Sequence, residues 1–236
     1  ESLPQAERPG SAAVIYLDNL AMVSEAEGVK KELEALGIQI AYEEKVPEGV
    51  TDLTTTIAKV KDGGAELLIG HFFLPEGALA VRAAKQLAYA PKAMWFSVGP
   101  AMSDWKETLG ADGDYVWGST MFLVKAKAPG LEEFVQAYQE KWNRPPDYHA
   151  AGAYAAAQVL QAAVEATQSL DNDVLRDYVA ANRFPTVIGT LSWDETGKPE
   201  PAVLLIQWIK GEQEIIWPPD VATAKPVYPM PSWAER

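Results

Sequence analysis

The sequence predicts an α/β fold built on a doubly wound, mainly parallel sheet. In the first 120 residues, short continuous apolar runs alternate with longer segments whose apolar residues recur at helical spacing. A run and the segment after it together span roughly 25–30 residues, as expected for parallel strands joined by right-handed crossover helices. The hydrophobic share of 48% supplies enough apolar material for the core of such a fold.

The elements follow in a regular order. The predicted strands are 12–17, 38–42, 67–69, 94–98 and one that starts at 115. The predicted helices are 22–36, one capped by Thr51 or Asp52 that ends at Gly63 and Gly64, one that runs from Pro75 to Ala88, and 102–109.

After residue 125 the pattern changes. Three helices are predicted with no strand between them, at 131–143, 148–167 and 171–181. A strand at 190–193, a turn at 194–197 and a hairpin formed by 202–209 and 213–217 follow. The proline-rich stretch from Pro218 onward is expected to be extended.

Composition excludes several classes of function. A net charge of −13 would repel nucleic acid and anionic membranes. The absence of cysteine removes disulfides, thiolate metal sites and cysteine nucleophiles. No apolar run reaches the ~18 residues of a membrane span, and Glu1–Gly10 lacks the pattern of a signal peptide.

Motifs for catalysis and cofactors are also missing. The sequence has no GxGxxG, no GxxxxGK[ST] and no GxSxG. His71 and His149 have no HxxH or HExxH spacing, and the carboxylates at 112–114 and 194–197 do not match a calcium loop. We therefore expect no metal and no cofactor, and we interpret His149 as a helix-flank residue.

The loops that follow the predicted strands carry the candidate site. The carboxyl ends of parallel strands share one edge of a doubly wound sheet, which is where ligands bind. The aromatic and small residues there suit a small organic solute with a polar or anionic end. The alternative for Phe72 and Phe73 is that they cap the core. The candidate residues are Asn19, Leu20, Ala21, His71, Phe72, Phe73, Gly99, Pro100, Ala101 and Met102.

Several stretches, in this order, resemble a known family. They are 13–16, 81–85, 96–100, 134–138, 146–156, 186–189, 193–197, 207–208 and 228–233. The chain is similar to type I periplasmic solute-binding proteins, most closely to the branched-chain amino acid and amide branch of ABC importers. The resemblance implies two lobes with the ligand held between them, and a chain that begins where the family enters its second lobe. Residues 1–120 and 203–236 would then form the complete second lobe, and residues 121–202 an incomplete first lobe.

The resemblance also bears on the site. The family's aromatic pair after the third strand of this lobe matches Phe72 and Phe73, whereas its aromatic after the first strand falls at Leu20 or Ala21. An acidic residue that holds an amino group in the family would fall near 100–102, where none is present. This departure favours an amide or an aromatic or aliphatic carboxylic acid over an α-amino acid.

The function implied is non-enzymatic. We expect a periplasmic protein that binds a small organic solute in an interlobe cleft and delivers it to an ABC permease. The alternatives are a ligand-sensing domain of the same fold and an enzyme on a doubly wound sheet. The helices 131–143 and 148–167 need strands that the sequence does not show, so we expect a second copy or a complementing chain to cover them.

Overall fold

The structure, a computed structural model, describes residue 4, residues 7–200 and residues 203–236. The chain divides into two compact units. Unit 1 comprises Glu1–Ser119, Ile206–Glu214 and Ala224–Arg236. Unit 2 comprises Thr120–Leu205 and Ile215–Thr223.

The helices and strands have the following bounds. The strands are β1 Ser11–Leu17, β2 Gln39–Val46, β3 Leu67–His71, β4 Ala93–Phe96, β5 Trp117–Thr120, β6 Phe184–Thr186, β7 Gly189–Leu191, β8 Leu204–Ile209 and β9 Glu212–Trp217. The helices are α1 Leu20–Ala35, α2 Thr54–Asp62, α3 Leu74–Gln86, α4 Asp104–Leu109, α5 Leu131–Trp142, α6 Tyr148–Thr167 and α7 Asn172–Ala181.

The predicted mainly parallel sheet is confirmed. Its seven strands lie in the order β2-β1-β3-β4-β5-β8-β9, and β1 to β5 pair in parallel. Lys210 and Gly211 join β8 to β9, with φ values of 52° and 76°. Two consecutive residues at positive φ make the tight turn of a hairpin, so β8 and β9 are antiparallel. Ala202, where the predicted hairpin begins, lies outside the described residues.

Close packing fixes the centre of unit 1. The rings of Phe72 and Phe96 lie 5.7 Å apart, and Phe96 meets Trp105 of α4 at 6.2 Å. These three side chains are fully buried. A Cβ atom on Gly70 would lie 2.5 Å from the Phe72 ring and 2.6 Å from the Phe96 ring. Only glycine therefore fits in β3 beneath the two rings.

Several strands and one helix begin or end at residues other than those predicted, because apolar patterning does not show backbone geometry. β3 runs on through His71, and β2 runs on to Val46. The strand predicted from residue 115 begins at Trp117, because Tyr115 has a left-handed φ of 66°. The predicted cap of α2 is displaced, since Leu53 holds the cap position and Asp52 accepts hydrogen bonds from the amide and hydroxyl of Thr54.

Unit 2 is a small α+β body. Its core is formed by residues from helices α5 and α6 and from the loops beside them, namely Phe122, Leu131, Phe134, Ala151, Ala155 and Val187. β6, which the sequence analysis missed, pairs antiparallel with β7 and packs on α6. The expectation that α6 has no strand of its own chain is therefore wrong. Tyr154 and Leu160 of α6 nevertheless stay 47% and 56% exposed.

A network of polar contacts holds the chain ends of unit 1. Glu66 accepts a hydrogen bond from the Gly10 amide at 2.6 Å and pairs with the Lys92 ammonium at 2.8 Å. The Met230 amide donates to the Lys92 carbonyl, and the Trp233 indole donates to the Tyr89 carbonyl. The stretch predicted to be extended from Pro218 onward begins with a bend and turn at 218–221, and residues 224–236 contain no helix or strand.

We predict that Gly70→Ala destabilises the protein by about 1–3 kcal/mol, because the new methyl group overlaps two buried rings. The matched control is Gly28→Ala in α1, where a Cβ meets nothing within 4 Å. There the change should stabilise by about 0.5–1 kcal/mol, because glycine is unfavourable within a helix. Urea denaturation measures both, and equal effects at the two positions would contradict this account.

Acid should weaken the Glu66 network. The Lys92 ammonium and the Gly10 amide hold the pKa of the Glu66 carboxyl below its ordinary value of 4.5. A lowered pKa contributes stability above the unfolded-state pKa, and this contribution is lost as pH falls through the folded-state pKa. Glu66→Gln should therefore flatten the decline in unfolding free energy below about pH 5, as urea midpoints would show. Glu34→Gln, at an exposed position, is the control.

Candidate functional site

The carboxyl ends of β1, β3 and β4 lie at one edge of the sheet, because these strands are parallel neighbours. Backbone hydrogen bonds hold together the loops after β3 and β4. The Ser97 amide donates to the Gly70 carbonyl at 3.0 Å, and the Val98 amide donates to the Phe72 carbonyl at 3.3 Å. The sheet therefore positions the loops that carry most of the predicted site residues.

The loop after β1 carries the exposed side chain of Leu20 next to Asn19, whose side-chain amide is held by hydrogen bonds. Asn19 caps α1 by accepting a hydrogen bond from the Met22 amide at 3.0 Å. Its side-chain amide also donates to the Glu48 carboxylate at 2.9 Å. Leu20 is 88% exposed and Ala21 is exposed. Of these residues, Leu20 offers the most free surface.

The two phenylalanines after β3 have different environments. Phe73 is the N-cap residue of α3 and is 44% exposed, whereas Phe72 is fully buried against Phe96. Phe72 therefore lies in the core beneath the edge, where its ring packs against Phe96. The alternative that these residues cap the core therefore describes Phe72 but not Phe73.

The structure places His71 in β3 instead of in the loop after it. It is the last residue of β3, and its side chain is buried on the α1 side of the sheet. Its Nδ1 atom lies 3.0 Å from the Glu25 carboxylate, and its ring meets Trp95 edge-on at 5.4 Å. Because β3 is longer than predicted, His71 belongs to the sheet face and not to the loop.

The loop after β4 is mostly structural. Gly99–Ala101 form a buried 3₁₀ turn, and a Cβ on Gly99 would lie 2.7 Å from the Trp105 ring. The Pro100 carbonyl accepts hydrogen bonds from the Trp208 indole at 2.9 Å and from the Gln213 side-chain amide at 2.7 Å. Of the predicted site residues in this loop, only Met102 is partly exposed.

Ser97 is a positioning residue that the sequence analysis missed. Its hydroxyl oxygen lies 3.2 Å from the Phe72 amide nitrogen and 3.7 Å from the Met22 sulfur. It therefore connects α1 with the ends of β3 and β4. The sequence analysis placed Ser97 inside the strand predicted at 94–98. β4 ends at Phe96, so the signal that could have identified Ser97 was a hydroxyl residue directly after the strand end.

A buried carboxylate near this edge was also missed. Glu76 lies in the first turn of α3, is 8% exposed, and has an Oε2 atom with no hydrogen-bond partner among the described residues. The next carboxylate after residues 100–102 is Asp104, which is exposed and contacts the Ser103 hydroxyl at 3.2 Å. An acidic group thus approaches the edge from α3 and not from the loop after β4.

The described residues contain neither a metal-binding cluster nor a membrane-spanning helix. Over residues 7–200 and 203–236, no group of three or more histidine, aspartate or glutamate residues is arranged to hold a metal ion. Within the same ranges, no helix combines the length and the apolar character needed to cross a membrane.

Comparison with known proteins identifies relatives. A family model described as periplasmic binding protein matches residues 3–213. The "Leu/Ile/Val-binding protein homolog 7" of Brucella suis is 24% identical over 224 residues, which cover 90% of this chain and 56% of the relative. The chain therefore spans little more than half the length of this curated relative.

Solved structures share the fold. A putative branched-chain amino acid ABC transporter from Silicibacter pomeroyi has a TM-score of 0.81 at 17% identity, over 94% of this chain and 62% of its own. A solute-binding protein from R. palustris, solved with 4-hydroxybenzoate, has a TM-score of 0.77 at 18% identity, over 98% of this chain and 63% of its own.

We predict losses of stability of very different size for the two phenylalanines. Phe72→Ala should cost about 3–5 kcal/mol of unfolding free energy, because it leaves a cavity in the core. Phe73→Ala, at a position 44% exposed, should cost under about 1 kcal/mol. Chemical denaturation of both variants tests the assignment, and a large loss at Phe73 would show that it too is a core residue.

Proposed function

Because this chain belongs to the periplasmic binding protein family, we propose that unit 1 supplies one wall of a solute-binding site. The observation that carries the proposal is the edge at the carboxyl ends of β1, β3 and β4. There Leu20, Phe73 and Met102 have exposed or half-buried side chains on loops that the sheet holds in place. Loops at the carboxyl ends of parallel strands are where ligands bind in doubly wound folds.

In this proposal the protein is the extracytoplasmic binding component of an ABC importer. It binds and releases a small organic solute unchanged, in the periplasm, and passes it to an ABC permease in the membrane. Unit 1 corresponds to the family's second lobe, and unit 2 corresponds to part of its first. The family match over residues 3–213 supports this role.

The solute class follows from the chemistry of the edge. Residues 99–102 carry no carboxylate that could hold an ammonium group, and Leu20 and Phe73 offer apolar area. Both features favour an aromatic or aliphatic carboxylic acid or an amide. The fold neighbour from R. palustris was solved with 4-hydroxybenzoate, which is one compound of this kind.

An amino acid is the second candidate, and Glu76 is the observation that favours it. Its Oε2 atom is buried without a partner among the described residues. Burying a carboxylate is costly unless a donor pairs with it, and the ammonium group of an amino acid is such a donor.

We predict that a carboxylate or amide solute perturbs this edge selectively. Two-dimensional amide NMR of the chain, titrated with benzoate, 4-hydroxybenzoate, aliphatic amides and L-leucine, should show shifts concentrated at residues 19–21, 73 and 97–102. Phe73→Ala should weaken binding by about 1–3 kcal/mol, because aromatic contact area is lost. Leu160→Ala, exposed in unit 2, is the control.

The same titration separates the two solute classes. Preference for L-leucine, abolished by Glu76→Gln, would assign the ammonium to Glu76 and reject the carboxylate class. Shifts spread over unit 2 with none at this edge would reject the site itself.

A further inference from the structure

Methionine supplies all the sulfur chemistry of this chain, which contains five methionines and no cysteine. All five lie among the described residues. Met22, Met94 and Met230 belong to the core and are at most 5% exposed. Met121, in unit 2, is 38% exposed, and Met102, in unit 1, is partly exposed. A reagent that attacks sulfur therefore meets two of the five side chains at the surface.

Met102 has a fixed backbone at the candidate edge. Its amide donates to the Gly99 carbonyl at 3.1 Å, and its carbonyl accepts a hydrogen bond from the Trp105 amide at 3.2 Å. Two residues earlier, the Pro100 carbonyl accepts two further hydrogen bonds from side chains of the β8–β9 hairpin. Because the backbone is held on both sides of Met102, a chemical change in its side chain alters the surface of the edge and leaves the loop in place.

Met102 is also the one oxidisable member of the three edge side chains with free surface. Leu20 is 88% exposed and Phe73 is 44% exposed, but an aliphatic chain and a benzene ring lack a nucleophilic sulfur. A thioether is oxidised to a sulfoxide, and this step is reversed by methionine sulfoxide reductases. The reaction converts a flexible apolar side chain into a polar one.

We propose, on the basis of the function proposed above, that Met102 is a site of reversible oxidation that lowers the affinity of the edge for apolar solutes. The oxidant is a peroxide. A lone pair of the Met102 sulfur attacks one peroxide oxygen, so that an S–O bond forms and the O–O bond breaks. With hydrogen peroxide, the departing hydroxide takes the proton of the transferred oxygen and leaves as water. In the reverse step two thiols become a disulfide, and the sulfoxide oxygen leaves as water.

The added oxygen changes which solutes the edge accepts. A sulfoxide oxygen accepts hydrogen bonds from water, and an apolar solute that covers it removes those bonds without replacing them. Solutes that present an aromatic or aliphatic surface should therefore bind more weakly to the oxidised edge. An amide N–H can replace the lost bond, so an amide solute should be affected less.

The order of oxidation is the first test. The chain is exposed to hydrogen peroxide for increasing times, and its proteolytic fragments are analysed by mass spectrometry. We expect Met102 and Met121 to be oxidised first. The three core methionines should react at least about tenfold more slowly, because peroxide reaches them only when the core opens.

The second test measures solute affinity before and after oxidation by amide NMR titration, with benzoate and L-leucine as probes. The oxidised chain should bind at least about fivefold more weakly than the reduced chain, because the sulfoxide loses water beside the solute. Methionine sulfoxide reductases of both epimer specificities, with dithiothreitol, should restore the affinity.

Two substitutions at Met102 separate its oxidation from other damage. Met102→Leu is close in volume and has no sulfur, so peroxide should leave the affinity of this variant at its own starting value. Met121→Leu is the matched control, and peroxide should weaken its binding as much as in the unsubstituted chain. Met102→Gln places a polar amide at the edge and should bind as weakly as the oxidised chain without any peroxide. Circular dichroism checks that each variant is folded.

Two results would overturn this inference alone. The first is that Met102 stays reduced while core methionines are oxidised. The second is that peroxide leaves the affinity unchanged, or lowers it equally in Met102→Leu. Failure of both probes to bind the reduced chain is a different outcome, because it rejects the proposed binding edge and the role of Met102 with it.

Discussion

The structure depends on one constraint, which is that parallel neighbouring strands cannot be joined by a tight turn. Each connection must cross the sheet, so a helix follows each of the first four strands. The same constraint collects the carboxyl ends of the strands at one edge. It also decides which face of the sheet each helix covers.

The candidate edge rests on a closely packed aromatic core. Phe72, Phe96 and Trp105 pack tightly, and Gly70 and Gly99 leave them the room they need. The Trp208 and Gln213 side chains hold the Pro100 carbonyl from the hairpin side. A rigid support of this kind lowers the cost of ordering the loops when a ligand binds.

Periodicity and glycine placement predicted the parallel sheet, the hairpin and α6 well, because long patterned segments override local detail. The residues at strand ends were harder to assign. Apolar patterning could not show that β3 runs on through His71, and this extension decides that Phe72 enters the core while Phe73 stays exposed. Burial of Glu76 depends on the packing around α3, which no local sequence signal reveals. β6 is only three residues long, too short for periodicity to show.

The uneven burial of the edge has an evolutionary consequence. Gly99, Pro100 and Ala101 are locked in the core, so selection for a new ligand there would conflict with selection for folding. Leu20, Phe73 and Met102 keep free surface, and exposed positions tolerate most substitutions with changes within about 0.5 kcal/mol. In the proposed site, ligand preference can therefore diverge at these three positions while the scaffold beneath them stays constant.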